Sequence, residues 1–255
     1  MRFFISANTD IGTGNPVNQD SLFVRTLKTR QGPMVLAVLC DGMGGLSQGE
    51  VASATVISAF TAWMRCELPV LSQDRIEDSV IRAQWDGIIS DQNEILLRYG
   101  KQNGTSLGAT VVAMLLTGQS YYILNVGDSR AYEMIDSPRM ITKDQTVVAR
   151  EVELGRLTPR QASRDPRRHV LWQCVGASGG VIPEFFFGKV IKNAIYMLCS
   201  DGFRNTITHQ EIYDAFQPGQ MINGEIMNRR AQQLIATCKR RGERDNISVV
   251  TVRTF

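Results

Sequence analysis

Runs of apolar residues, each five to seven long and broken by short polar turns, dominate two stretches of the chain. Met34-Val35-Leu36-Ala37-Val38-Leu39-Cys40, Tyr121-Tyr122-Ile123-Leu124-Asn125-Val126 and Ala194-Ile195-Tyr196-Met197-Leu198-Cys199 are the clearest. Their length and bounding turns predict buried strands. Strands are predicted over 2–8, 21–27, 34–40, 107–117, 120–126, 130–135, 138–142, 185–191, 194–200 and 247–252. Gly118-Gln119 supplies a tight hairpin turn between two of them. Three stretches carry the helical period instead. Residues 49–66 form an Ala-, Val- and Ile-rich buried helix. Residues 75–98 form a second, with Ile81, Trp85, Ile88 and Ile95 on one face. Residues 223–241 form a third, burying Met227, Ala231, Leu234, Ile235 and Cys238. Lys239, Arg240 and Arg241 fill the last turn of that helix, and Gly242 follows as its C′ residue. Strands, a helix pair, strands, then a helix and a strand make a segregated α+β arrangement. The short links between strands make the sheets mostly antiparallel.

Residues 143–183 interrupt this order. They hold Lys143, Arg150, Arg156, Arg160, Arg164, Arg167 and Arg168 with few long apolar runs, which predicts a surface segment covering part of the body. No linker or repeat divides the chain, so residues 1–255 are expected to form a single domain.

Composition narrows the function classes. The net charge of +3 is too mild to indicate nucleic-acid binding. No apolar stretch reaches the ~20 residues a membrane span needs. The first residues lack the apolar core of a signal peptide, and Cys40, Cys66, Cys174, Cys199 and Cys238 are widely spaced with no Cys-x-x-Cys. The expectation is a cytoplasmic protein with reduced, mostly buried thiols, no structural zinc, no membrane and no nucleic acid.

Five acidic islands carry the chemistry: Asn18-Gln19-Asp20, Asp41-Gly42-Met43-Gly44-Gly45, Gly127-Asp128-Ser129-Arg130, Ser200-Asp201-Gly202 and Arg244-Asp245-Asn246. At least three follow directly on apolar strands. Carboxylates gathered at one sheet end repel each other, and hard divalent cations take oxygen ligands. The pattern therefore reads as a carboxylate-lined Mg²⁺ or Mn²⁺ site.

Any one island alone is an ordinary turn; their order and spacing are specific. With Thr9-Asp10-x-Gly12, Gly104-Thr105-Ser106-x-x-Ala109-Thr110, Asn125-Val126-Gly127-Asp128-Ser129-Arg130, Thr142-x-Asp144 and Asp245-Asn246-Ile247-Ser248, the chain resembles the PPM-type metal-dependent Ser/Thr protein phosphatases, the protein phosphatase 2C family, in its bacterial form. The resemblance spans residues 9–248. It implies a sandwich of two antiparallel β-sheets flanked on each side by a pair of helices, with a binuclear Mn²⁺ or Mg²⁺ centre at one end. It implies that Asp41 bridges both ions, that the Gly42 carbonyl joins one, that Asp201 and Asp245 hold the other, and that Asp20 orients the attacking water. Asp128 is left with two readings, a ligand for a third ion or an ion pair with Arg130. Residues 143–183 correspond to the flap beside the cleft. The implied partners are phosphorylated proteins and a cognate Ser/Thr kinase.

The chain also departs from the family pattern. Asn15 stands where an Arg usually grips the substrate phosphate, so a charge-assisted bidentate contact is lost. Arg25 and Arg130 are the candidates to replace it. Gln19 stands for a Glu, and Met43 occupies a position that holds His in some relatives. No His follows Asp144, and His169 and His209 are read as residues without catalytic work. These departures keep a second reading open beside the phosphatase: a phosphoprotein-binding pseudophosphatase or regulatory module with weak turnover. Intact Asp41, Asp201 and Asp245 speak against it.

Overall fold

The computed structural model describes residues 1–44 and 48–255. Gly45, the last residue of the second island, lies outside them. In chain order the elements are β1 (Phe3–Asp10), β2 (Ser21–Thr29), β3 (Gly32–Cys40), β4 (Gly42–Gly44), α1 (Gly49–Cys66), α2 (Leu68–Leu71), α3 (Asp78–Asn103), β5 (Leu107–Ala109), β6 (Val111–Leu116), β7 (Ser120–Val126), β8 (Arg130–Met134) and β9 (Pro138–Met140). They continue with α4 (Val147–Glu153), α5 (Pro159–Ala162), β10 (Glu184–Lys189), β11 (Ile195–Cys199), α6 (Asp201–Arg204), α7 (His209–Ala215), α8 (Gly224–Arg240) and β12 (Ile247–Thr254).

Two antiparallel five-stranded sheets result, ordered β1-β12-β11-β8-β9 and β10-β7-β6-β3-β2; β4 and β5 form a small separate pair. The uninterrupted apolar character of β3 is explained by burial on both faces. Met34, Leu36, Val38 and Cys40 pack under α1 and α3 with Phe60, Trp63 and Trp85. Val35, Ala37 and Leu39 face the other sheet, against Ala131, Tyr196, Leu198, Val250 and Val252. On the far side, β11 and β12 lie under α6, α7 and α8 through Phe203, Ile212, Met227 and Ile235. The result is helices, sheet, sheet, helices, as the resemblance implied. No helix among the described residues is long and apolar enough to cross a membrane.

Several boundaries moved for identifiable reasons. The predicted strand 107–117 breaks at Thr110, whose N–H bonds Asp41 O at 2.9 Å; this separates β5 from β6. In α3 the buried stripe is Ile81, Trp85, Ile89, Asn93, Leu96 and Gly100, while Ile95 is 41% exposed. The far half of α3 packs on the 174–178 loop. There Asn93 accepts from Gly176 N (2.8 Å) and donates to Ser178 O (3.2 Å), which rotates the contact stripe off the Ile88–Ile95 line. The C-terminus of α8 closes as expected: Gly242 has φ +87°, and Glu243 N donates to Cys238 O at 3.0 Å. Among the five cysteines only Cys66 is exposed, and all are free.

Residues 143–183 hold two short helices, close on themselves through a bridge between Thr146 and Leu171, and are clipped to the body by a bridge between Ala109 and Val175. Three of the arginines pair with acids of the same segment: Arg150 with Glu153, Arg156 with Glu151, and Arg167 with Asp165.

Candidate active site

Strand register brings the islands together. Asp10 pairs with Ile247, Ser21 with Cys40, Arg130 with Cys199, and Cys199 with Val249. The residues just beyond these pairs, Asp20, Asp41, Asp128, Asp201 and Asp245, therefore emerge at one end of the sandwich. Asp41, Asp128, Asp201 and Asp245 line a cleft of about 500 Å³ together with Gly14, Asn15, Met43, Thr110, His169, Leu171, Asn205, Glu243 and Arg244. Asp20 lies buried beneath it, 8% exposed.

The loops carrying these groups are tied to one another. Asp41 N donates to Thr110 Oγ1 at 3.1 Å, and Thr110 shares a hydroxyl hydrogen bond with Ser129 at 2.8 Å. Asn246 Oδ1 accepts from Gln19 N at 2.8 Å, while its amide donates to Ile11 O (2.8 Å) and Val17 O (3.3 Å). The first and last islands are thus one rigid unit. Gly42 has to be glycine, because a Cβ there would strike the backbone oxygens of Gly49 and Gln19. The Gln19 amide lies between Gly42 O (3.2 Å) and Gly49 N (3.3 Å), and bonds both when its NH₂ faces the carbonyl.

Crowding shows in the acid strengths. Burial first, then the charges of Asp20, Asp201, Asp128 and Asp245, push the Asp41 carboxyl well above the ordinary carboxylate range. Burial raises Asp20 to about 7, with Asp201 and Asp245 adding to it and the nearby Ser248 and Ser200 hydroxyls pulling the other way. Asp128 reaches about 7, through burial and Asp201, against the pull of Arg204. Asp245 is raised by burial and Asp201. Both oxygens of Asp20 and Oδ1 of Asp201 are buried with no hydrogen-bond partner. Among the described residues, no three acidic, His or Cys side chains close on one point as a finished metal cage would.

The arginines take unexpected partners. Arg130 is committed to Asp144 through two bonds of 2.7 and 2.6 Å. Burial opposes ionisation of Asp144, but this fork holds it below the usual carboxylate range. Arg130 therefore cannot replace the missing phosphate grip. Arg25 cannot either, since it sits exposed in the middle of the edge strand β2, opposite Leu36. Asp128 does form an ion pair, but with Arg204, whose Nη2 donates to its Oδ2 (3.1 Å) and its carbonyl (3.0 Å). Asn15 points into the cleft and donates to Asp245 Oδ1 at 2.8 Å.

The histidines separate. His209 meets Tyr132 OH at 3.1 Å and Arg130 at 3.3 Å, outside the cleft. Burial and Arg130 lower its pKa. His169 is different: its Nδ1 lies 3.8 Å from Asp201 Oδ2 at the mouth of the cleft. No local signal in the sequence marks His169, because only the fold-back of residues 143–183 brings it there. A second cleft of about 800 Å³ continues from this mouth between residues 143–183 and the body, lined by Lys143, Arg168, His169 and Arg204 among others.

Known proteins share this fold. The family model described as protein phosphatase 2C matches residues 11–235. A putative protein phosphatase 2C-type protein of Streptococcus pyogenes is 29% identical over 252 residues, covering 97% of this chain and 96% of its own length. The serine/threonine protein phosphatase PstP of Mycobacterium tuberculosis is 31% identical over 96% of this chain, which spans 44% of PstP. The crystal structure of the catalytic domain of PstP in complex with two manganese ions superposes with a TM-score of 0.77 at 28% identity, covering 98% of this chain and 97% of that one. The fold is that of known serine/threonine protein phosphatases. The chain belongs to the protein phosphatase 2C family.

Proposed function

We propose that this chain hydrolyses phosphoserine and phosphothreonine monoesters of proteins, using water activated at a binuclear Mn²⁺ or Mg²⁺ centre in the 500 Å³ cleft. The observation that carries this reading is the convergence of five carboxylates among which both Asp20 oxygens and Asp201 Oδ1 are buried with no hydrogen-bond partner. Buried anionic oxygens without donors are costly unless a cation meets them, so the donor set fits hard divalent ions.

Asp41, the Gly42 carbonyl, Asp201 and Asp245 would hold the two ions, and the PstP complex with two manganese ions supports that number. When bound, such a pair lowers the pKa of a shared water and neutralises charge developing on a phosphoryl group. The chain's own residues do the positioning. Asp20 offers two acceptor oxygens that can orient a water from below. Asn15 and Asn246 N fix the Asp245 carboxylate through bonds of 2.8 Å each. Arg204 pins Asp128 at the rim, with one Asp128 oxygen left to meet a third ion. We further propose that residues 1–255 act as one phosphatase domain with residues 143–183 as its flap, and that the partners are phosphorylated proteins and the kinase that makes them.

The test is hydrolysis of an aryl phosphate and of a phosphothreonine peptide with Mn²⁺, with Mg²⁺ and with chelator. Turnover that needs the metal, vanishes with chelator and returns on adding metal back is expected. Full activity in chelator, or loss through thiol alkylation alone, overturns the proposal. Phosphopeptide binding without turnover would favour the pseudophosphatase.

A further inference from the structure

The cleft is anionic, yet its substrate is an anion, and the family's phosphate-gripping Arg is absent at Asn15. Among the described residues lining the cleft, Arg244 is the only arginine or lysine. It is exposed, and its guanidinium makes no hydrogen bond or ion pair with another described residue. Arg130 and Arg204 are spent on Asp144 and Asp128.

Arg244 is also held in place. Glu243 Oε1 accepts from Arg244 N (2.9 Å) and Asp245 N (3.1 Å). Arg244 O accepts from Gly14 N at 2.8 Å, and Thr13 Oγ1 donates to Glu243 O at 2.8 Å. The side chain lies directly over Gly14. A Cβ on Gly14 would sit 2.8 Å from Arg244 Cβ and 3.1 Å from its Nε, so glycine at 14 is what lets the arginine cross the loop beside Asn15. The cation is missing from one strand of this loop pair and present on the other.

We infer that Arg244 grips the phosphoryl group of the substrate, taking over from the residue that Asn15 replaces. This rests on the phosphatase reading above. A guanidinium offers a planar fork matched to phosphate oxygens, and its place next to Asp245 sets it at the edge of the proposed metal centre, where the non-bridging oxygens of a monoester would project. Asn15, freed from that task, bonds Asp245 instead.

The experiment compares wild type, Arg244→Ala, Arg244→Lys and the pair Asn15→Arg/Arg244→Ala at saturating Mn²⁺. The measurements are KM and kcat for an aryl phosphate, the inhibition constant of inorganic phosphate, and the Mn²⁺ concentration for half-maximal activity. Losing a charge-assisted contact should raise KM and the phosphate inhibition constant by about tenfold in Arg244→Ala. Because the contact forms already in the ground state, kcat should stay within about threefold. Arg244→Lys should recover part of the loss, and Asn15→Arg should restore phosphate affinity by returning the cation across the loop pair. Unchanged KM and phosphate inhibition in Arg244→Ala, with wild type active, overturns this inference and leaves the phosphatase reading intact. So does a shift in Mn²⁺ requirement without a shift in phosphate affinity, which would make Arg244 a support for Asp245. A wild type that hydrolyses no monoester with Mn²⁺ overturns the phosphatase reading and this inference with it.

Discussion

Replacing Asp20 by Asn should stabilise the metal-free protein while removing its activity. Asp20 is buried beneath the cleft with both oxygens unpaired. Burial, Asp201 and Asp245 raise it from 3.8 to about 7. A carboxyl whose folded-state value is raised contributes stability at low pH, and that contribution is lost as pH rises through about 7. From 3.8 to about 7 corresponds to roughly 4 kcal/mol at pH 8. An amide has the shape of the protonated acid and carries no charge, so it avoids this penalty. Part of the gain is returned because the amide must find its own partners, at about 1–3 kcal/mol. The net expectation is about 1–3 kcal/mol, or several degrees in Tm for a chain of this size. Calorimetric or urea unfolding in chelator at pH 8 and at pH 4.5 measures it. The variant should be the more stable at pH 8, the difference should shrink at pH 4.5, and saturating Mn²⁺ should stabilise wild type more than the variant. A metal-free wild type that grows more stable from pH 4.5 to 8, or an Asp20→Asn protein equally destabilised at both, refutes the electrostatic reasoning.

Asp41→Asn should lower turnover by several orders of magnitude with the fold retained, because the group lies at the cleft rather than among the apolar clusters; a folded variant with wild-type turnover would refute the assigned centre. Arg204→Ala leaves buried Asp128 without its partner. The loss of stability in chelator should be about 1–2 kcal/mol larger at pH 8 than at pH 5, because Asp128, raised to about 7, ionises between them; an equal loss at both pH values would point to packing rather than charge.

The strands and the acidic set were legible in the sequence because each rests on local pattern. Burial on both faces forces the apolar run of β3, and the glycines and carboxylates stand at the turns that follow. What escaped the sequence depends on pairing between distant segments. Asp128 and Asp144 each had an arginine near in sequence or motif, yet Arg204, from a different sheet connection, takes Asp128 and leaves Arg130 to Asp144. His169 reaches Asp201 only because residues 143–183 fold back over the body. The exposure of Ile95 follows from how α3 meets the 174–178 loop, which helical spacing does not encode. Arg244 looked like an ordinary flank of its island until its loop was seen lying over Gly14.

The bond between Asn15 and Asp245 joins residues 230 positions apart, and β1 zips along β12 from Phe3↔Thr254 to Asp10↔Ile247. Non-local pairing of this kind is late and slow in folding, since loop closure must be met before the contacts reward it. A ribosome-bound chain whose β12 has not emerged lacks Asp245, Arg244 and the neighbour of β1 all at once. The cleft can therefore form only once β12 is available. A partly made copy can bury much of its α1–α3 side, but it presents an unpaired β1 edge and no working centre. The cleft is completed when β12 takes its place between β1 and β11.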